Sequence, residues 1–340
     1  QPAGMEHDTK ICDCDSIWRS CDGGSTWLRI WHKALEGRVM NPDNACDWPS
    51  TSDFAVEWTV LGLPPDVEEP TDIYMADLGG EMIWQSDASG DACCPAGLGC
   101  WEDRNTDLGG DDGGIADIAV LDEETVYVVA FNGDMVKTTT SGRHWSSQED
   151  TKVDDDSLEQ AHTIVAWGDW VLLGGSMGTA SYSDDGGDSF SVLDDIGDGQ
   201  VHVAFDSYFD DNGYVYGAVA CGGGDNGIYR TTIDDAEWED MNACDDLNYW
   251  GIVVGDADGN PRTSASTGGV LYASYNGSDC CKDSGVARLL DPAGQDCCGE
   301  RFWDYVWDEL WEDAAFVNQP SNIAICSDAS DGATVIWAVD

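Results

Sequence analysis

Ser183-Asp-Asp-Gly-Gly-Asp-Ser-Phe190 and Ser20-Cys-Asp-Gly-Gly-Ser-Thr-Trp27 match residue for residue in one pattern, S-x-D-G-G-x-[T/S]-[W/F]. A looser copy is Thr138-Thr-Thr-Ser-Gly-Arg-His-Trp145, and a more degenerate one is Thr231-Thr-Ile-Asp-Asp-Ala-Glu-Trp238. The aromatic ends at Trp145, Phe190 and Trp238 set a period of 45 and then 48 residues. Trp101 lies 44 residues before Trp145 and ends a segment of the same layout that carries a cysteine-containing insertion. A fixed period of this length is the signature of a repeat architecture.

Outward from each copy the same elements recur. Residues 115–121, 125–131 and 134–138 precede one turn. Residues 162–166, 170–174 and 179–183 precede the next, and 189–193 follow it. Residues 201–206, 214–220 and 227–231 precede the third, and 237–241 follow it. These are short runs rich in Val, Ile, Tyr, Phe and Trp between Gly/Asp turns, which predicts strands. Four strands per period of about 45 residues, with no convincing amphipathic helix, describe a β-propeller blade.

The repeated turn resembles the Asp-box (BNR) motif S-x-D-x-G-x-T-W of sialidases, sortilin-type receptors, photosystem-assembly factors and many secreted or surface propellers. In that family the motif forms the hairpin between the third and fourth strands of a blade. The resemblance implies turn roles for Ser20, Asp22, Gly24 and Trp27, and for Ser183, Asp185, Gly187 and Phe190. Thr140, Gly142 and Trp145 match with Thr in place of Asp. The residue types suit those roles. Glycine permits positive φ, the carboxylate accepts backbone N–H bonds, and the aromatic buries a large apolar area.

Five blades are predicted, over residues 54–104, 115–148, 162–194, 201–241 and 249–306. Residues 16–19 and 26–31 supply a third and fourth strand, and 322–326 and 334–339 a first and second. Joined, the two chain ends make a sixth blade that closes the ring and removes exposed sheet edges. The expectation is an all-β single propeller domain over residues 1–340, six blades favoured and seven the alternative. Gln1 fits the first residue of a processed chain, and the strand-like end at 337–340 leaves room for a longer assembly.

The chain carries 67 Asp plus Glu against 14 Lys plus Arg, a formal net charge of −53 over 340 residues. Such a chain does not bind nucleic-acid phosphates without a local reversal of charge. With 42% hydrophobic residues and 16 Trp it has the material for a large core and is not a disordered chain. Its longest apolar stretches fall short of the roughly 20 residues of a membrane helix. Like charges at this density oppose compaction, so salt, divalent cations or cross-links are expected to hold the fold. Asp111, Asp112, Asp154, Asp156, Asp194, Asp195, Asp210 and Asp211 sit in acidic loops and are the candidate Ca²⁺ ligands.

Fourteen cysteines without a C-x-x-C spacing read as disulfides and an extracellular setting rather than as a metal site. Cys280 and Cys281 are expected to pair with Cys297 and Cys298, and Cys221 with Cys244; Cys326 has Cys12, Cys14 or Cys21 as candidate partners. Insertions near 93–100 and 278–300 carry many of them. Asn276-Gly-Ser278 is a glycosylation sequon where the producing cell glycosylates.

Catalytic signals are sparse. A sialidase resemblance would call for an arginine triad and an R-I-P motif, and none of the nine arginines lies in R-I-P. With 67 acids some carboxylate pair falls at any spacing, so a glycosidase pair carries little information. His162 and His202 open first strands at equivalent places, which points to packing more than to a metal. Trp303, Trp307 and Trp311 are spaced as one face of a short helix or as a strand and turn, with a core role preferred. The expected function is a non-enzymatic extracellular propeller, a structural or binding unit of a microbial cell surface. Its expected partners are further copies of itself or other surface proteins and glycans. A glycoside hydrolase with an axial site and a receptor-like peptide-binding propeller are the alternatives.

Overall fold

The computed structural model describes residues 16–19, 28–32, 59–62, 73–77, 82–86, 102–106, 108, 113–153, 160–222, 225–244, 247–255, 269–277, 284–293, 303–305, 322–328 and 333–339. Within these the chain is almost entirely β. Five four-stranded antiparallel sheets follow one another in sequence. The first holds β3 (Thr59–Gly62), β4 (Ile73–Asp77), β5 (Met82–Ser86) and β6 (Glu102–Asn105). The second holds β7 (Ile115–Val120), β8 (Val126–Ala130), β9 (Asp134–Thr138) and β10 (Glu149–Asp150). The third holds β11 (Ala161–Trp167), β12 (Trp170–Gly175), β13 (Ala180–Ser183) and β14 (Ser191–Val192). The fourth holds β15 (Gln200–Phe205), β16 (Tyr214–Ala220), β17 (Gly227–Thr232) and β18 (Glu239–Asp240). The fifth holds β19 (Leu247–Gly255), β20 (Val270–Gly277), β21 (Ser284–Leu290) and β22 (Asp304–Tyr305).

Each sheet is a meander, with neighbours in sequence hydrogen-bonded as neighbours in space. Among the described residues the chain ends form two further two-stranded sheets. One pairs β1 (Ser16–Arg19) with β2 (Leu28–His32), the other β23 (Asn322–Asp328) with β24 (Ala333–Val339). The one described helix is the single turn α1 (Phe209–Asn212).

The chain divides into two compact units, residues 1–131 with 135–148, and residues 132–134 with 149–340. In the first, Tyr74, Ile83, Ile115, Val126, Val128 and Val136 form the core, and Trp145 packs on it. In the second, one cluster gathers Leu172, Val201, Val203, Phe205, Phe209 and Val219. Another gathers Tyr216, Tyr249, Leu271, Tyr275 and Leu289, with Trp303 packed against it. The core reading of Trp303 thus has a contact behind it, and its indole N–H is donated to the Met241 carbonyl at 3.0 Å. Trp307 and Trp311 lie outside the described residues.

First strands β11, β15, β19 and β23 of the second unit are successive neighbours. The approach of β12 to β15 is close because Gly174 lacks a side chain. A Cβ there would sit 2.2 Å from the Val201 carbonyl oxygen. Several strands of this unit are free of charged residues. β11, β12, β15, β16 and β19 contain no Asp, Glu, Lys or Arg, while Asp184, Asp194, Asp195, Asp210, Asp225 and Asp234 are exposed on loops and the helix turn. Burying an unpaired charge between strands would cost far more than leaving it in water.

The expected Cys221–Cys244 disulfide is not formed; both are free thiols. Cys221 follows β16 and Cys244 follows β18, and β17 lies between those strands in the sheet. Two interstrand steps span about 9–10 Å, beyond the roughly 7 Å that a disulfide bridges between Cα atoms. Cys12, Cys280, Cys281, Cys297 and Cys298 lie outside the described residues. Cys326 lies on β23 opposite Val335.

Candidate functional site

The repeated turn is visible in two copies. In Ser183–Phe190 the Ser183 hydroxyl accepts the N–H of Gly187 at 2.8 Å and of Asp185 at 3.3 Å, and donates to Asp185 Oδ1 at 2.7 Å. Asp185 then accepts the N–H groups of Asp188 and Ser189 at 3.0 and 2.9 Å and the Ser189 hydroxyl at 2.6 Å. Gly186 and Gly187 take φ of +73° and +89°, which explains the paired glycines. Phe190 is buried beneath.

Thr138–Trp145 repeats this wiring with different atoms. The Thr138 hydroxyl accepts the N–H of Thr140 and of Gly142 at 3.1 and 3.0 Å, and Thr140 Oγ1 accepts the His144 N–H at 3.0 Å. A hydroxyl at the third position therefore takes over the bond that the Asp185 carboxylate makes to the Ser189 N–H. The other copies are less visible. The first, residues 20–27, lies outside the described residues, although Arg19 and Leu28 on either side are paired. Residues 231–238 depart from the pattern: Thr231 donates its hydroxyl to the Glu237 carbonyl at 2.9 Å.

Two outcomes follow. Ser183→Ala strands two backbone donors, one of them buried, and is expected to cost about 1–3 kcal/mol, read from the denaturation midpoint. The hydrogen bonds from the Ser189 and Ser183 hydroxyls and the Ser189 N–H hold the Asp185 carboxyl down at about 2. Its folded value is depressed, so its contribution is present above the ordinary carboxylate range and is lost as pH falls through about 2. A carboxyl carbon titration should show Asp185 still ionised at about pH 3, below the ordinary Asp value.

At the end of residues 231–238 lies an open groove of about 350 Å³, lined by Asp194, Asp195, Ile196, Gly197, Asp225, Tyr229, Glu237 and Trp238. Its walls are tied together. Asp194 N–H is donated to the Ala236 carbonyl at 3.2 Å, and Trp238 Nε1–H to the Asp194 carbonyl at 2.6 Å. Tyr229 donates its hydroxyl to the Asp225 carbonyl at 3.0 Å. Among the described residues none of the four acids has a cationic partner. The groove thus combines uncompensated negative charge with two aromatic rings, a combination suited to a cation.

The scarce cations are used elsewhere. Arg230 donates to Glu239 at 2.6 Å and to the Pro292 carbonyl at 2.7 Å, and stacks on Tyr214. Lys137 lies over the Tyr127 ring, and Arg104 donates to Gln85 and to the Ser141 carbonyl. The turn-flanking position of Arg19 and Arg230 recurs at other residues. Lys137, Arg230 and Arg288 each stand on a third strand opposite a second-strand tyrosine, Tyr127, Tyr216 and Tyr272. Two of them directly precede a copy of the turn, and Arg19 precedes a third. Arg143 is exposed.

Among the described residues no three His, Cys, Asp or Glu side chains group as a metal cage. Asp194 and Asp195 line the groove, and Asp210 accepts the Trp167 indole N–H at 3.0 Å beside Asp211 on α1. Asp111, Asp112, Asp154 and Asp156 lie outside the described residues. Asn276 stands on β20 between Asn248 and Ser284. No described helix is long and apolar enough to cross a membrane.

No family model and no curated protein matches the sequence. Solved structures do. The chain is similar to the GH74 xyloglucanase of Xanthomonas campestris, with TM-score 0.54 and 15% identity over 82% of this chain and 44% of that one. It is also similar to YCF48 from Cyanidioschyzon merolae, at 0.48 and 13%, over 73% of this chain and 71% of that one. A third is the GH74 enzyme of Niastella koreensis, at 0.46 and 18%, over 73% and 31%. The fold class is a β-propeller. At these identities the likeness speaks for the fold alone, and the chain spans less than half of either GH74 enzyme.

Proposed function

We propose that this chain is a non-enzymatic binding propeller of a cell surface, and that it meets a basic segment of a partner protein at the groove beside Trp238. The observation that carries the reading is the groove itself, with four carboxylates that have no counter-cation among the described residues and with its Tyr229 and Trp238 rings. A lysine or arginine there gains ionic contacts and a ring face together. A second copy of a chain at −53 is a poor occupant unless cations intervene.

The turns belong to the Asp-box type, on the hydroxyl and carboxylate wiring of Ser183 and Asp185. Six blades form the ring, with the terminal hairpins sharing one. The remaining cysteines form disulfides in an extracellular setting, and Ca²⁺ or salt neutralises the acidic loops. The hydrolase alternative gains no support from Arg230, whose guanidinium is committed to Glu239 and Pro292.

Calorimetric titration tests the binding reading. A lysine- and arginine-rich peptide should release heat that Glu237→Gln and Trp238→Ala abolish, and an acidic peptide of equal length should release none. Equal heats from both peptides, or heats indifferent to both substitutions, would overturn it.

A further inference from the structure

His202 stands on β15, which packs between β11 and β19. Its Nε2 atom is buried and has no hydrogen-bond partner among the described residues. Its ring meets Trp250 of β19 edge-on, centroids 6.4 Å apart and planes at 62°. On β16 the residue opposite it is Ala218. β12 meets β15 at Gly174, whose missing side chain leaves room for the Val201 carbonyl. From β11 the facing titratable group is His162, whose own imidazole burial also pushes down. No Asp, Glu, Lys or Arg occurs on any of these five strands; besides the two histidines, only Tyr214, Tyr216 and Tyr249 can titrate.

That composition is unusual for a chain in which 24% of residues are charged. A carboxylate beside the His202 imidazole would have stabilised its protonated form. Instead burial, and secondarily His162, holds His202 at about 3. The two histidines are the groups among these strands whose ordinary values bring a charge change near neutral pH.

We propose that the packing of β11, β15 and β19 is an acid-opened latch, docked while His162 and His202 are neutral and released when they take up protons. The folded value of His202 is depressed below its unfolded value. The unfolded or locally opened state therefore binds more protons between about 6.5 and 3, and stability falls as pH falls through that window. The rest of the chain pulls the other way, because acidification toward the isoelectric point near 4.1 relieves the repulsion of the acidic loops. A loss of inner-strand protection on mild acidification is thus a signature of the histidines and not of the net charge.

Hydrogen exchange of the full chain tests this, with β15 amides followed at pH 7.5, 6.5, 5.5 and 4.5 and corrected for intrinsic rates. The opening constant of β15 should rise about tenfold per pH unit below about 6.5 for each proton taken up. In His202→Phe, which keeps a ring and cannot be protonated, that rise should be reduced by at least one such factor. An equal rise in both proteins, or no rise in the native one, overturns the proposal. Where the variant fails to fold, the imidazole resonance of His202 in the native chain decides. A midpoint below about 4.5 supports the latch, and one at or above the ordinary value near 6.5 contradicts it.

Discussion

Replacing Asp206 by alanine is expected to destabilise the chain by about 3–5 kcal/mol. Asp206 is fully buried. It accepts the Tyr216 hydroxyl at 2.6 Å, the Asn212 side-chain amide at 2.8 Å and the Tyr208 N–H at 2.8 Å. Its own N–H is donated to the Tyr214 carbonyl. One carboxylate therefore fixes the route of the chain out of β15, through α1 and back into β16. Burial and this carboxylate push the Tyr216 hydroxyl well above its usual range, so it stays a donor at every ordinary pH. Alanine leaves three donors facing a void. Asp206→Asn keeps one acceptor oxygen and should lose about half as much. Urea midpoints for the two variants check the ordering.

Gly178→Ala is the second large effect, expected at about 2–4 kcal/mol from a left-handed backbone together with overpacking. Gly178 has φ of +80°, and a Cβ there would lie 2.0 Å from the Gly197 carbonyl oxygen. The neighbouring backbones are also joined, with Gly178 N–H donated to Gly199 at 2.7 Å and Ile196 N–H donated to Gly178 at 2.8 Å. No side chain can move aside, because the obstacle is main chain. Gly168 is the control. It has φ of +58°, and a Cβ there would meet nothing within 4 Å, so alanine should cost only the backbone term, about 1–2 kcal/mol. Equal losses at the two positions would show that the close approach of the two loops is not present.

Much of the fold was legible because Gly/Asp turns punctuate runs of β-formers. The runs at 115–121, 170–174 and 214–220 correspond to β7, β12 and β16 to within a residue or two. The outer strands were read too long, since β14 and β18 are two residues each. Their neighbours in sequence leave the sheet to build the turn and the groove. The helix turn α1 carried no signal, being one turn held by Asp206 and not by an apolar stripe. The Cys221–Cys244 pairing failed because closeness in sequence across a blade is not closeness in space when a strand lies between. The groove could not be read at all. It joins Asp194 and Asp195 after one sheet to Asp225 and Trp238 of the next, and only the meander brings those segments together. The absence of charge from the inner strands was readable, but its meaning depended on knowing that β11, β15 and β19 are neighbours.

The central proposal is that the blades close into one ring through the two terminal hairpins. An experimental density map of the full chain tests it most directly. Six blades are expected, with β1–β2 and β23–β24 hydrogen-bonded into a single four-stranded sheet. Seven blades, or terminal hairpins in separate blades, would contradict it.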